Sequence, residues 1–211
     1  MAKVKICGIT NIEDALLASE HGADALGFIF APSPRKVRPE EVKEMVAKLP
    51  PFVAKVGVFA HHTLSEIKEI MSFCGLDLAQ LHGGEPPDFC ALLAPKAIKA
   101  IALESLPPLS ELKRYNIAAF LLDREKKMTS PLLANNSGPM TGDSYHWQKA
   151  REIKGVKPVI LGGGLTPENV RQAVEIAQPY AVDVASGVEK SPGKKDPKKL
   201  RDFIEAAKRE S

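Results

Sequence analysis

A single-domain (β/α)8 barrel of the α/β class is the fold this sequence predicts, on three observations. Short apolar, β-branched runs alternate with stretches of helical period about eight times along the chain, the pattern of repeated βα units around a parallel sheet. The first strand-like run is followed by CGITN, not by the G-x-G-x-x-G turn of a dinucleotide-binding sheet. The glycine cluster Gly162-Gly163-Gly164 comes after the seventh run instead, and in barrels a phosphate commonly rests on the loops after strands seven and eight.

The first strand, residues 4–7 (VKIC), leads into Thr10-Asn11-Ile12-Glu13. That is a capping-box spacing, with the Thr10 hydroxyl accepting from a backbone N–H and Glu13 reaching back, and a helix should run from it to about Gly22. Residues 25–30 (ALGFIF) form the second strand, and Pro39 opens the second helix because its missing N–H and fixed φ suit a first turn. A third strand at 54–59 precedes a helix that Gly75 stops. Strands at 78–82, 97–102, 118–123, 158–162 and 181–185 complete the eight. The irregular stretch 124–145, carrying Pro131, Gly138, Pro139 and Gly142, reads as a mobile active-site loop, with a plain surface excursion as the alternative. No composition shift or Pro/Ser-rich linker divides the chain, so residues 1–211 are expected to form one domain.

Composition excludes several functional classes. The 211 residues carry 29 Lys plus Arg against 26 Asp plus Glu, a net charge of +3, and are 44% hydrophobic, enough for a sizeable core. No segment approaches the roughly 18 consecutive apolar residues of a membrane span, and the start, MAKVKICGIT, has no signal-peptide character. Cys7, Cys74 and Cys90 are an odd number with no CxxC pair, which fits reduced thiols in a cytoplasmic protein. The small charge excess gives no reason to expect nucleic-acid binding. The locally basic Lys194, Lys195, Lys198 and Lys199 read as a solvated helix face.

The catalytic face of a barrel lies at the C-terminal ends of its strands, where this chain places Cys7, His82, Asp123, Asp183 and Ser186. Cys7, between Ile6 and Gly8, would by type be a small buried hydrophobe, but its position at the catalytic face makes it a candidate site residue. Cys74 and Cys90 fall in outer helices and read as packing. Asp123, straight after five apolar residues, is costly to bury without a purpose and is a candidate general acid, or a carboxylate capping the next loop. His82 could donate to a substrate or satisfy strand-end backbone. His61-His62 lacks a third ligand at any metal spacing and reads as solvated loop, so no metal site is expected. Gly163 and Gly164 let backbone approach an anion, with Thr166 as N-cap and Pro167 in the first turn of the next helix. Ser186 and Gly187 offer donors from the adjacent loop. Arg35 could hold a substrate carboxylate bidentately, or be solvated.

Together these segments resemble the phosphoribosylanthranilate isomerase family: KICGIT at 5–10, ALGFIFAPSPRKV at 25–37, KVGVF at 55–59, QLHG at 80–83, LLD at 121–123, LGGGLTPENV at 161–170, and DVASGVE at 183–189 followed by PGKKD at 192–196. The resemblance implies a TIM barrel of the ribulose-phosphate-binding type and an Amadori rearrangement in tryptophan biosynthesis, with no metal or organic cofactor. The implied substrate is a small phosphorylated molecule, and the implied assembly is a monomer or homodimer. It casts Cys7 as general base and Asp123 as general acid. Arg35 would face the substrate carboxylate, His82 and Asp183 would line the substrate site, and Gly163, Gly164, Ser186 and Gly187 would hold the phosphate. One stretch departs from the family pattern: before Trp147, Asp143 stands where the family usually carries a lysine, and its paired glycines are missing. A synthase or epimerase on the same phosphate site would need a catalytic lysine or metal-binding histidines at strand ends, which are not seen. A barrel that binds phosphorylated metabolites without turnover is the third possibility.

Overall fold

The structure, a computed structural model, describes residues 1–124 and 142–209. Eight parallel strands close into a barrel in chain order: β1 (Lys3–Cys7), β2 (Ala25–Ile29), β3 (Ala54–Phe59), β4 (Leu78–Leu81), β5 (Ala97–Ala102), β6 (Ala119–Asp123), β7 (Val159–Leu161) and β8 (Ala181–Val184). Pairing of β1 with β8, from Lys3 opposite Ala181 to Ile6 opposite Val184, completes the ring. Around it lie α1 (Ile12–Glu20), α2 (Pro39–Val46), α3 (Leu64–Cys74), α4 (Pro87–Ala91), α5 (Leu109–Leu112), α6 (Gly142–Glu152), α7 (Val170–Ala177) and α8 (Pro197–Lys208). The stretch 124–145 singled out as a loop lies largely outside the described residues, and its last part is corrected: α6 already begins at Gly142, so Asp143 falls in the first turn of that helix.

Period-two alternation divides each strand between two cores. Val56, Ile98, Ala119, Leu121 and Ile160 pack inside the barrel. The intervening positions, among them Phe28, Phe59, Leu81, Phe120 and Leu161, pack outward against the helices. Each fully buried large side chain of this layer contributes roughly 1.5–3 kcal/mol of transfer free energy. Because Val4 and Ile6 face outward, the same alternation turns Lys5 and Cys7 inward. It likewise sends Gln80, Asp123 and Asp183 inward from β4, β6 and β8, so the polar residues reach the interior by register.

The stop expected at Gly75 is present, in the left-handed region at φ 68°, and at the other end of α3 Thr63 and Glu66 form a reciprocal box. Pro39 opens α2, as its backbone constraints favour. At α1 the expectation is corrected: Asn11, not Thr10, caps the helix by accepting from the Asp14 N–H. The Thr10 hydroxyl instead donates to the Gly193 carbonyl.

That bond ties the loop after β1 to an element the periodicity did not predict, an antiparallel hairpin of β9 (Glu189–Ser191) and β10 (Lys194–Lys195). Its turn uses Gly193 at φ 79°. The hairpin corrects the expectation for Lys195, whose side chain is fully buried while Lys194, Lys198 and Lys199 stay exposed. Alternation along β10 explains the split: Lys194 points to solvent and Lys195 points under the barrel mouth, where its N–H donates to Asp14 Oδ2 at 2.8 Å.

Candidate active site

The C-terminal ends of the strands surround a cavity of about 1330 Å3. All nine candidate site residues named from the sequence line it. Eight of them arrive in three groups, and Arg35 comes separately from the loop after β2.

Cys7 ends β1 and is 5% exposed. Space for its thiol comes from the neighbouring strand, where Gly27 pairs with it. A Cβ on Gly27 would stand 2.7 Å from Cys7 Sγ and 3.1 Å from Lys5 Nζ. Below, Lys5 Nζ donates to Asp183 Oδ1 at 2.8 Å. Burial pushes the Cys7 thiol above its usual range, and the Asp183 charge adds to that rise, while the Lys5 ammonium and more weakly Lys195 oppose it.

Asp123 ends β6 and is half-buried. Its Oδ1 accepts from the Arg124 N–H at 2.8 Å, and its Oδ2 lies 3.6 Å from His82 Nε2, beyond direct hydrogen-bond range. Gly163, at φ 79°, makes room for this carboxylate, since a Cβ there would fall 2.8 Å from Asp123 Oδ1 and 2.5 Å from the Arg124 nitrogen. His82 Nδ1 lies 3.3 Å from the Gln80 amide nitrogen.

The third group is the glycine backbone. Gly163 and Gly164 both occupy the left-handed region, and among the described residues neither N–H donates within the protein. One turn of 3-10 helix over Ser186–Val188 begins at the cavity beside them. The two loops meet at Gly187, where a Cβ would fall 1.9 Å from the Leu165 carbonyl oxygen. The helix start expected at Thr166 is corrected: α7 begins at Val170 behind Asn169. Asn169 folds the intervening turn, accepting from the Thr166 N–H at 2.8 Å and donating to the Gly164 carbonyl at 3.1 Å. The donors facing the cavity are therefore loop glycines and a 3-10 turn, an anion-binding concavity of the nest type.

The family profile described as N-(5'phosphoribosyl)anthranilate (PRA) isomerase matches residues 4–206. The chain is 49% identical over 209 residues to the N-(5'-phosphoribosyl)anthranilate isomerase of Geobacter metallireducens, covering 99% of this chain and 100% of that one. Among solved structures, the phosphoribosyl anthranilate isomerase of Thermotoga maritima is 38% identical with a TM-score of 0.82 over 99% of both chains. The Thermus thermophilus enzyme is 40% identical with a TM-score of 0.81 over 97% of both. The chain belongs to the N-(5'-phosphoribosyl)anthranilate isomerase family. A further isomerase structure, 37% identical with a TM-score of 0.80 over 99% of both chains, is a complex with reduced 1-(o-carboxyphenylamino)-1-deoxyribulose 5-phosphate. A Thermotoga maritima structure, 36% identical with a TM-score of 0.79 over 99% of both chains, is of monomers generated from the dimeric isomerase.

In this member of the isomerase family, Arg35 lies in the loop after β2 and is gripped from behind. Its Nε and Nη2 donate to the two oxygens of Glu189 at 2.7 and 2.6 Å. The end-on edge formed by Nη1 and the second Nη2 proton is left for another acceptor. Glu189 also accepts from Lys195 Nζ at 3.1 Å, and Lys195 donates further to the carbonyls of Cys7 at 2.7 Å and Ala185 at 3.1 Å. Burial works against the Glu189 charge, but the Arg35 hydrogen bonds and the Lys195 ammonium hold its pKa below the usual carboxylate range.

Sequence reasoning missed Lys5, Glu189 and Lys195. Two of them carried a usable signal: Lys5 shares the inward parity of Cys7, and Glu189 closes the DVASGVE run. Among the described residues there is no cluster of His, Cys, Asp or Glu suited to a metal ion, and no helix long and apolar enough to cross a membrane.

Proposed function

We propose that the chain, folded as one barrel domain, catalyses the Amadori rearrangement of N-(5'-phosphoribosyl)anthranilate to 1-(2-carboxyphenylamino)-1-deoxyribulose 5-phosphate in tryptophan biosynthesis, with Asp123 as general acid and Cys7 as general base. Asp123 gives its proton to the furanose ring oxygen, and the C1′–O bond breaks to leave a protonated Schiff base. The Cys7 thiolate then takes the proton from C2′, and the electron pair moves to form the C1′–C2′ double bond of an enolamine. Tautomerisation gives the ketone. Only protons move, so the sequence of steps is redox-neutral and calls for no organic cofactor.

The observation that carries this reading is the opening of Cys7 and Asp123, from β1 and β6, onto one cavity with the glycine loops between them. Two groups of opposite starting protonation state on different sides of one sugar suit successive acid and base steps. The free N–H groups of Gly163 and Gly164, with Ser186 and Gly187, would hold the 5′-phosphate, and the end-on edge of Arg35 would take the anthranilate carboxylate. His82 and Asp183 would line the sugar between them. We place the enzyme in the reducing cytoplasm, where Cys7 stays a thiol, as a monomer or homodimer acting on a small phosphorylated substrate.

Freshly prepared phosphoribosylanthranilate, followed by its fluorescence, tests the reading. Enzyme-dependent quenching faster than spontaneous hydrolysis is expected. It should be lost in Cys7→Ala and Asp123→Asn while the substrate still binds. No acceleration over buffer by the unaltered protein would sink the proposal.

A further inference from the structure

An ion pair sits inside the barrel directly below Cys7, where packing does not call for one. Lys5 Nζ and Asp183 Oδ1 are 2.8 Å apart, with side chains 3% and 12% exposed. Taking two such ions out of water costs several kcal/mol each, and apolar residues often fill the same space with equal or greater stability. Elsewhere inside this barrel they do, at Val56, Ile98, Leu121 and Ile160. The pair's location is specific. Lys5 precedes Cys7 by two residues on β1, so both face inward on one column. Gly27 opposite leaves a single gap on which Cys7 Sγ and Lys5 Nζ both converge.

We propose that Lys5 is the counter-ion of the Cys7 thiolate, a positioning residue that keeps the base available, with Asp183 anchoring the ammonium. The inference deepens the reading of Cys7 as general base and rests on it. The charged groups facing Cys7 are Lys5 on its own strand, Asp183 on β8, Lys195 on the hairpin and Arg35 from the loop after β2. Burial and Asp183 disfavour the thiolate, and Lys5 is the largest opposing influence. Substrate entering the cavity displaces more water and would silence an unassisted thiol. A fixed buried ammonium does not lose its effect on desolvation. When Cys7 accepts the C2′ proton and becomes neutral, the Lys5 charge remains matched by Asp183, so the interior holds a balanced charge on that side in the protonated state.

The test is the pH dependence of Cys7 alkylation by iodoacetamide on the full chain, read residue by residue by peptide mass spectrometry, alongside the pH profile of kcat/KM. Cys74 and Cys90, which burial pushes up to about 11, serve as internal references. Lys5→Met is expected to raise the Cys7 midpoint by about one unit or more, roughly a tenfold loss of thiolate at neutral pH. Cys74 and Cys90 should not change, and the acid limb of kcat/KM should move up with Cys7. If unpaired Asp183 keeps Lys5→Met from folding, the neutral double variant Lys5→Met with Asp183→Asn is expected to show a smaller rise in the same direction, because loss of the Asp183 charge offsets part of the loss of Lys5. An unmoved Cys7 midpoint in the variant that folds overturns the proposal. Full turnover by Cys7→Ala would instead overturn the assignment of the base, while the alkylation midpoint still decides whether Lys5 and Cys7 are coupled.

Discussion

Lys195 Nζ donates to the carbonyl oxygen of Cys7 at 2.7 Å, joining the hairpin after β8 to the end of β1. The same ammonium reaches Glu189, which grips Arg35 by two hydrogen bonds. Lys195→Met should therefore remove a buried ion-pair partner and strand two carbonyls at once. Breaking a buried pair of this kind costs about 3–5 kcal/mol, which urea unfolding would register as a lower midpoint with an unchanged slope. In the folded fraction Arg35 loses its fixed backing, so KM should rise more than kcat falls.

Glu189 also sets an acid limit. Its folded pKa lies below the ordinary glutamate value of about 4.5, so above that value the unfolded and folded chains are both ionised and its stabilisation is fully present. As pH falls below about 4.5 the unfolded chain takes up a proton first, and the stabilisation is lost progressively through the lowered folded pKa. Urea midpoints measured from pH 6 down to about 3 should fall in the wild type. The fall should be smaller in Glu189→Gln, which starts lower.

Gly27→Ala places a Cβ 2.7 Å from Cys7 Sγ and 3.1 Å from the Cys7 Cα. Overpacking of this kind costs about 1–3 kcal/mol. Here the displaced atom is the proposed base, so kcat should drop at least tenfold while KM changes little. Steady-state kinetics together with a thermal melt separate loss of the base's position from loss of fold.

His82 and Asp123 are 3.6 Å apart and both partly exposed, close enough to interact electrostatically but beyond a direct hydrogen bond. His82→Asn should cost less than about tenfold in kcat, against the roughly 10²- to 10⁴-fold loss expected for a general acid in Asp123→Asn. Equal losses in the two variants, measured under single-turnover conditions, would make His82 the proton donor.

Gly187→Ala brings a Cβ to 1.9 Å from the Leu165 carbonyl oxygen, an overlap only movement of the backbone can relieve. The two anion-binding loops must then part. KM for the phosphorylated substrate is expected to rise about tenfold or more, and the inhibition constant of inorganic phosphate should rise with it.

The barrel was legible in the sequence because its strands are apolar runs of fixed parity, and each of the eight barrel strands lies within one residue of its predicted run. The candidate residues were legible for the same reason: Cys7, Asp123 and Asp183 each terminate or interrupt such a run. Lys195 was not, because a lysine in a basic stretch reads as solvated. Only the hairpin, two very short strands about a glycine turn, reveals that alternate residues face opposite ways. Thr166 was misplaced as a helix start because Asn169 accepts from the Thr166 N–H to fold a turn ahead of α7, which begins at Val170 with no side-chain cap. Thr10 was misplaced as a cap because Asn11 competes for that role one residue later and accepts from the Asp14 N–H. Tertiary partners decided that competition, since Thr10 is drawn away to Gly193.

The β7–β8 seam has the shortest ladder in the barrel, with only Ile160 opposite Ala181 and Leu161 opposite Val182. Directly above it, the loops meet where the Gly187 backbone lies against the Leu165 carbonyl. The proposed phosphate, held by both loops, would act as a clasp across this short joint, and the joint should open first on warming when the clasp is missing. Metabolite supply would then set how long the enzyme lasts as well as how fast it works, because a ligand at concentration [L] adds RT ln(1 + [L]/Kd) to the stability of the closed barrel.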